Sequence, residues 1–516
     1  MATPTLPRAM SPSTAKSRPS AALRVAQRVG LFLLAVLLLL AAVLAANTFR
    51  QGSRQLSAPP APHLAMDEQA LAQTLGGAIR QQTIASPTDP QLHAEQFQQL
   101  QAWLAERFPR VHRSLQREVM ADGLTLLYTW KGSDPAAKPI ALMAHQDVVP
   151  IAPGTEVRWQ VDPFSGAVQD GFVWGRGAWD DKGNLIAQMQ AIELLLASGF
   201  QPRQTVYLVC GADEEIGGRG AQQVAQRLRE RKVRLDFVID EGLLITEGVM
   251  PGLSRPVALV GVAEKGYLTV HLKVETDPGH SSMPSARGTG AISVMSAALR
   301  RLDDQQMPAA VRGVAREMFE TVAPEMGGLQ RVALSNLWLF GPLVQAQLEK
   351  APSTNAMLRT TTALTGVQAG SRANVLPGLA EATVNFRLLP GDTRDAVLQH
   401  VRQVAGERVE LQPAPGSSDA SPVSPTASTS YQLVSRTLRS LFPDTVVAPG
   451  LMVGATDSRH LADISDHIYR FSPVRAKPED LARFHGTNER IAVQNLVELV
   501  RFYHLLLTNA NASVQP

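Results

Sequence analysis

At 516 residues the chain is longer than one ordinary domain, and with 45% hydrophobic and 18% charged residues its composition is that of a globular protein. A formal net charge of +3, without a dense Lys/Arg run interleaved with aromatics, argues against a nucleic-acid partner. The single cysteine, Cys210, excludes an intrachain disulfide, so any metal site must be built from histidines and carboxylates.

Residues 1–28 carry Arg8, Lys16, Arg18, Arg24 and Arg28 and no acidic residue, which reads as a basic, unstructured leader. Val29 to Ala46 contains no charged or polar side chain. Extended to Phe49, it reaches the ~20 residues that cross a bilayer as a helix. The pattern predicts a transmembrane helix over 29–49, with the basic flank cytoplasmic and the remainder extracytoplasmic, periplasmic in a Gram-negative cell. The alternative is a signal peptide cut near Val43-Leu44-Ala45, with a secreted product. Residues 50–66 read as a tether.

From Asp67 to about Phe108 apolar residues recur at helical spacing. Leu124–Trp130 and Ile140–Ala144 read as strands, Trp159–Ser165 as a Pro-containing loop and Val173-Trp174 as a short strand. Asn184–Ala197 reads as a helix, Thr205–Cys210 as a strand, Ala221–Arg231 as a helix, and Phe237–Ile239 as a strand ending in Asp240-Glu241-Gly242. Strands alternating with helices predict an α/β layer architecture with a mainly parallel sheet. Near Glu264-Lys265-Gly266-Tyr267 the rhythm changes. Leu268–Val274 and Ala380–Leu388 alternate as half-exposed strands, with helices over Gly290–Leu302 and Arg394–Ala405. This predicts a compact α+β insert over 264–420, between catalytic segments 67–263 and 421–516. The Ser/Pro-rich run Pro413–Ser430 marks its exit, and Ile491–Leu507 closes the chain as an apolar-faced helix.

Four strand ends or following turns carry chemistry: His145 with Asp147, Asp180, Glu214-Glu215, and Asp240. In a parallel sheet these ends lie along one edge, where ligands bind. A histidine there binds a metal through one ring nitrogen, and a carboxylate nearby takes the other N–H. Taken singly, each has a plain structural reading: a core histidine, a helix cap at Asp180-Asp181, a solvated turn at Glu214-Glu215, a carboxylate accepting backbone N–H at Asp240. Together they would repel one another unless cations sit among them. Oxygen and imidazole donors without thiolate suit zinc, cobalt or manganese.

These blocks resemble a known family. Ala144-His145-Gln146-Asp147-Val148-Val149-Pro150, Gly175-Arg176-Gly177-Ala178-Trp179-Asp180-Asp181-Lys182-Gly183, Asp213-Glu214-Glu215-Ile216-Gly217-Gly218, Asp240-Glu241-Gly242, Gly279-His280-Ser281-Ser282-Met283-Pro284, Asn374-Val375-Leu376-Pro377 and His485-Gly486 occur in the order seen in dinuclear zinc metallopeptidases. That family includes aminoacylase, acetylornithine deacetylase, succinyl-diaminopimelate desuccinylase, carnosinase-type dipeptidases and glutamate carboxypeptidase. Glu264-Lys265-Gly266-Tyr267, Asn355-Ala356-Met357-Leu358-Arg359-Thr360-Thr361 and Thr456-Asp457-Ser458-Arg459-His460 resemble the branch holding N-fatty-acyl-amino-acid synthase/hydrolase and carboxypeptidase S.

The resemblance implies a zinc-exopeptidase-like catalytic domain and a ferredoxin-like lid or dimerisation domain, hence a possible homodimer. It implies two Zn2+ per chain, with Co2+ or Mn2+ as substitutes. Asp180 would bridge them, His145 and Asp240 would complete one site, and Glu215 and His485 the other. Asp147 would orient His145, Glu214 would be the general base, and His280 would stabilise the oxyanion. Arg387, Arg359 and Asn374 are candidates for holding a substrate carboxylate, or else pack on the surface or within the small domain. The implied activity is hydrolysis of N-acyl amino acids, with dipeptide hydrolysis as the alternative in the same class. A non-catalytic, membrane-anchored binding module is the alternative from another class.

Overall fold

The computed structural model describes residues 21–511. Most of the basic leader, residues 1–20, lies outside the described residues. The chain divides at Gly52 into two units. Within the first, Ala21–Arg50 is one helix, and Arg24–Arg50 is long and apolar enough to cross a membrane. Its 27 residues span about 40 Å at 1.5 Å per residue, against a hydrocarbon core of ~30 Å.

The second unit is built on an eight-stranded sheet. In spatial order its strands are Gln116–Val119, Leu126–Trp130, Val206–Gly211, Ile140–His145, Val238–Thr246, Ile468–Ala476, Val257–Glu264 and Val446–Met452. Ile140–His145 runs parallel to both its neighbours, and Ile468–Ala476 runs parallel to Val238–Thr246, while Gln116–Val119 and Leu126–Trp130 are antiparallel. The sheet is therefore mixed with a parallel centre. Its central strands are buried on both faces, which is why they read as unbroken apolar runs. Leu142 and Leu208 face the core formed with helices Glu68–Ile79, Lys182–Ala197 and Val493–Asn511. Ala141, Met143 and Val209 face the opposite core, with Ala221, Val224 and Leu228 of helix Arg219–Glu230.

A second, antiparallel sheet has the spatial order Thr361–Ala369, Leu379–Leu388, Gly266–Glu275, Glu410–Pro413. Helices Ala291–Asp304 and Arg394–Ala405 supply its core with Met295, Ala298, Val397 and Val401. Chain order is strand, helix, strand, strand, helix, strand, a ferredoxin-like arrangement. Gly266–Glu275 alternates between buried and more open positions because one face of this sheet stays uncovered.

Three expectations need correction. The strand expected over Phe237–Ile239 runs on to Thr246. The segment 264–420 is not one insert. Helices Gly313–Val322, Gly328–Ser335, Leu337–Leu348 and Pro352–Leu358 interrupt it, and Met318, Phe319 and Val322 pack against Val446 and Ala448 on the edge of the large sheet. Residues 53–66 do not hang free. The Gln55 side chain donates to the Val447 carbonyl (3.0 Å) and accepts its N–H (2.7 Å), and Ala61 N–H donates to Ser440 O. Arg54 pairs with Glu320 at 3.2 Å, and Leu64 and Met66 pack on the main core.

Candidate metal centre

Ile140–His145 delivers His145 to the carboxyl edge of the sheet, buried. Its Nδ1 lies 3.0 Å from the Asp147 carbonyl oxygen, which fixes the ring and turns Nε2 outward. Nε2 lies 2.9 Å from Asp180 Oδ1 and 3.4 Å from Glu241 Oε1. The other oxygen of Asp180, Oδ2, lies 2.7 Å from His485 Nε2, and His485 Nε2 is 3.3 Å from Glu215 Oε1. Asp180 thus presents one carboxylate oxygen to each imidazole. His145, Glu214 and Glu241 bring donor atoms within 4.8 Å of one another, as do His145, Asp180 and Glu215.

Electrostatics mark the same place. Burial pulls the His145 imidazole down, but Glu241, Asp147 and Asp180 outweigh it and hold its pKa well above the ordinary value. Asp180 and Glu215 raise His485 to about 10. Burial would lift Asp180, yet hydrogen bonds from both histidines hold its carboxyl well below the usual range. Burial pushes Glu214, Glu215 and Glu241 up, and neighbouring carboxylates add to each. Among the described residues no Lys or Arg pairs with Asp180, Glu214, Glu215 or Glu241. The pocket is one that a cation would relax.

Asp240 does not join this cluster. Its Oδ1 accepts the Glu241 N–H (2.9 Å) and its Oδ2 the Ser458 N–H (2.7 Å). Because the strand continues past Asp240, adjacent side chains take opposite faces. The irregular register between Arg470 and Phe471 of the neighbouring strand accompanies the turn of Glu241 toward His145. Glu241 therefore occupies the place expected for Asp240.

Two loops supply the remaining pieces. Asp147 accepts the N–H groups of Glu214 (3.2 Å) and Glu215 (3.1 Å), which sets the Asp213–Gly217 turn beside His145. Glu489, buried, accepts N–H groups from Gly177, Trp179 and Asp180 and pairs with Arg176 at 2.5 Å. Arg176 also donates to the His485 and Gly486 carbonyls. His485 itself sits at φ 57, a region a non-glycine residue adopts only when held there. Sequence reasoning missed Glu489 and Glu241. The acidic residue at the end of Phe484–Glu489 is the only trace of the first, and Asp240-Glu241 offers two acids without saying which faces in.

A cavity of about 910 Å3 opens from Glu214 and Glu215 past Tyr267, Arg387, Arg459 and His460. Arg387, opposite Tyr267 in the small sheet, stacks its guanidinium 4.9 Å from that ring. Burial and the Arg459 charge lower its pKa, with Tyr267 opposing. Arg459 donates to the Thr456 and Gly217 carbonyls. Neither guanidinium has a carboxylate partner among the described residues. The other candidates lie elsewhere. Arg359 pairs with Glu349 at 2.8 Å, largely buried, in keeping with the packing alternative for it. His280 and Asn374 lie at an exposed two-stranded pairing of the small domain, where Ser281 N–H donates to Asn374 O and His280 Nδ1 lies 2.7 Å from Ser282 Oγ. Neither lines the cavity. Trp179 packs in the main core, edge-on to Phe484, and Trp338 lies on an exposed helix.

The profile of peptidase family M20/M25/M40 matches residues 141–509. N-fatty-acyl-amino acid synthase/hydrolase PM20D1 of Xenopus tropicalis is 42% identical over 456 residues, covering 87% of this chain and 88% of its own. Probable carboxypeptidase S-like 2 of Dictyostelium discoideum is 39% identical, covering 85% of each. Among solved structures, the M20 family metallo-carboxypeptidase Sso-CP2 of Sulfolobus solfataricus aligns with a TM-score of 0.63 at 19% identity, over 86% of this chain and 99% of that one. That likeness shows a shared fold.

Proposed function

The chain belongs to peptidase family M20/M25/M40 and is a hydrolase of it, and we propose that it cleaves the amide bond of N-acyl amino acids at a two-metal centre. His145, Asp180, Glu215, Glu241 and His485 would hold the ions, with Asp180 between them. Zinc is the first choice for this donor set, with cobalt or manganese as substitutes. The observation that carries the reading is that Glu214 and Glu215 of this carboxylate–imidazole cluster line one cavity with two guanidinium groups lacking carboxylate partners.

Bound metal would supply Lewis acidity toward the amide carbonyl and a water acidic enough to attack near neutral pH. The chain's own residues do the rest. Glu214 takes a proton from the attacking water and returns it to the leaving nitrogen, giving a carboxylic acid and a free amine. Its burial, which favours the protonated form, suits that second role. Asp147 holds both the His145 ring and the Glu214 backbone, so base and ligand are set from one carboxylate. Arg387 and Arg459 receive the free α-carboxylate of the amino-acid half, and Tyr267 supports Arg387 from below. His280 would reach the oxyanion by closure of the small domain over the cleft, or from a second copy of the chain.

The N-terminal helix fits an anchor that leaves the catalytic unit outside the cytoplasm, or a signal peptide later removed. The deciding assay follows amino-acid release from matched N-acyl amino acids and dipeptides, with zinc and with chelator. Chelator-sensitive release from the acyl panel is expected. Faster release from dipeptides would move the substrate to that class, and unchanged activity in Glu214→Gln would remove the general base.

A further inference from the structure

We propose that helix Leu337–Leu348 docks on a lipid bilayer, so that the catalytic unit lies against the membrane that its N-terminal helix enters; this rests on the anchor reading above. Trp338, Leu339, Pro342, Leu343 and Ala346 are spaced to form one stripe along this helix, and all are exposed, Trp338 at 61% and Leu343 at 69%. Leu329, on the preceding helix, is exposed at 83%. From Val332 to Leu348 the chain carries no charged side chain. Single exposed apolar residues are ordinary in a soluble protein, but a continuous apolar helix face marks an interaction surface.

The occupant follows from where the chain enters the folded unit. The first unit ends at Gly52, and Arg54 is already fixed to Glu320. Arg54 is thus where the chain enters the folded unit, beside Glu320. Glu320 also accepts from Arg316 at 2.9 Å, and Arg316 lines a cavity of about 600 Å3 together with Leu337, Trp338, Gly341 and Pro342. The entry point and the apolar stripe are therefore on one side of the catalytic unit. An indole beside aliphatic side chains on an uncharged helix face is the chemistry of the lipid headgroup boundary.

The test uses the full chain carrying Leu343→Cys. Cys210 is buried, so the new thiol takes an environment-sensitive nitrobenzoxadiazole dye. The labelled protein is reconstituted into phosphatidylcholine/phosphatidylglycerol vesicles, with a Val157→Cys label, at a site 92% exposed, as control. The expected result is flotation with the vesicles, a blue-shifted emission at 343, quenching by lipid-borne doxyl groups, and several-fold less iodide quenching than at 157. Flotation with equal iodide quenching at both sites overturns docking and leaves the anchor standing. Loss of flotation overturns both. Shielding at 343 that grows with protein concentration in detergent assigns the face to a second copy. Shielding that needs added N-acyl amino acid assigns it to substrate. Either result overturns the lipid assignment.

Discussion

Arg176 and Glu489 form a buried ion pair that ties the loop leading into Asp180 to the loop carrying His485. Each partner also serves the other's backbone: Glu489 gathers three N–H groups of one loop, and Arg176 two carbonyls of the other. The two sides of the proposed metal bridge are thus aligned by a contact that touches neither donor atom set. Glu489→Gln leaves the Arg176 charge buried without a counter-ion, and breaking a buried pair typically costs about 3–5 kcal/mol. Thermal unfolding should shift down, and zinc affinity should fall as His485 loosens from Asp180. An unchanged melting temperature together with unchanged zinc affinity would contradict this role.

Glu241→Gln should lower the zinc bound per chain, measured by elemental analysis after dialysis. Asp240→Asn should keep the metal while losing stability, because a carboxylate holding two backbone N–H groups is replaced by an amide that presents only one acceptor oxygen. That loss should be about 1–3 kcal/mol. Metal loss in Asp240→Asn with full loading of Glu241→Gln would reverse the assignment made from the geometry.

Arg387→Ala should raise KM for N-acyl amino acids by roughly 10- to 100-fold, since a hydrogen bond to a charged group contributes about 1.5–3 kcal/mol. Hydrolysis of the matching N-acyl amino acid amide, which lacks the carboxylate, should respond little to the substitution. Arg359→Ala should leave KM alone and reduce only stability, because its partner is Glu349. Equal effects of Arg387→Ala on acid and amide substrates would argue against carboxylate recognition.

Lys265 is buried, with Nζ donating to the Ala356 and Arg359 carbonyls at 2.9 Å. Burial, reinforced by Arg387, lowers its pKa to about 7 from 10.5. Below the folded value both states carry the proton and the folded state bears the full desolvation penalty. Between the two values the unfolded chain binds the extra proton, so stability gains from this group as pH rises from about 7 toward 10.5. Urea midpoints for wild type and Lys265→Met at pH 6 and pH 9 should differ, the variant losing part of the rise. Parallel pH profiles would show that Lys265 is not the titrating group.

The sequence carried the chemistry further than the geometry. His145, Asp180, Glu214, Glu215 and His485 stand out because long apolar strands or glycine-marked turns lead into them, and the sheet gathers them at one edge. Asp240 was the readable acid only while its strand was taken to end at Ile239. Once the strand continues to Thr246, pleat and register decide which acid faces His145, and neither is written in local composition. Arg359 is a plausible cation in sequence, whereas nothing in sequence singles out Arg459 for that role. Only the tertiary contact with Glu349 removes the first, and only the cavity wall selects the second. The two sheets were visible as a change from long apolar runs to alternating ones. The helix Gly313–Val322 was not, because its partner is an edge strand more than a hundred residues later in the chain.

The side-chain amide of Gln55 bonds both backbone groups of Val447, on the outermost strand of the large sheet. It stands in for the neighbouring strand that this border lacks. An open border of unpaired donors and acceptors is a template on which other chains can add. Residues 53–66 are therefore also a guard against sticking, and where the chain is shortened on its N-terminal side decides whether that guard stays with the folded unit. A cut just before Ser53 keeps it, whereas a cut at Asp67 discards it.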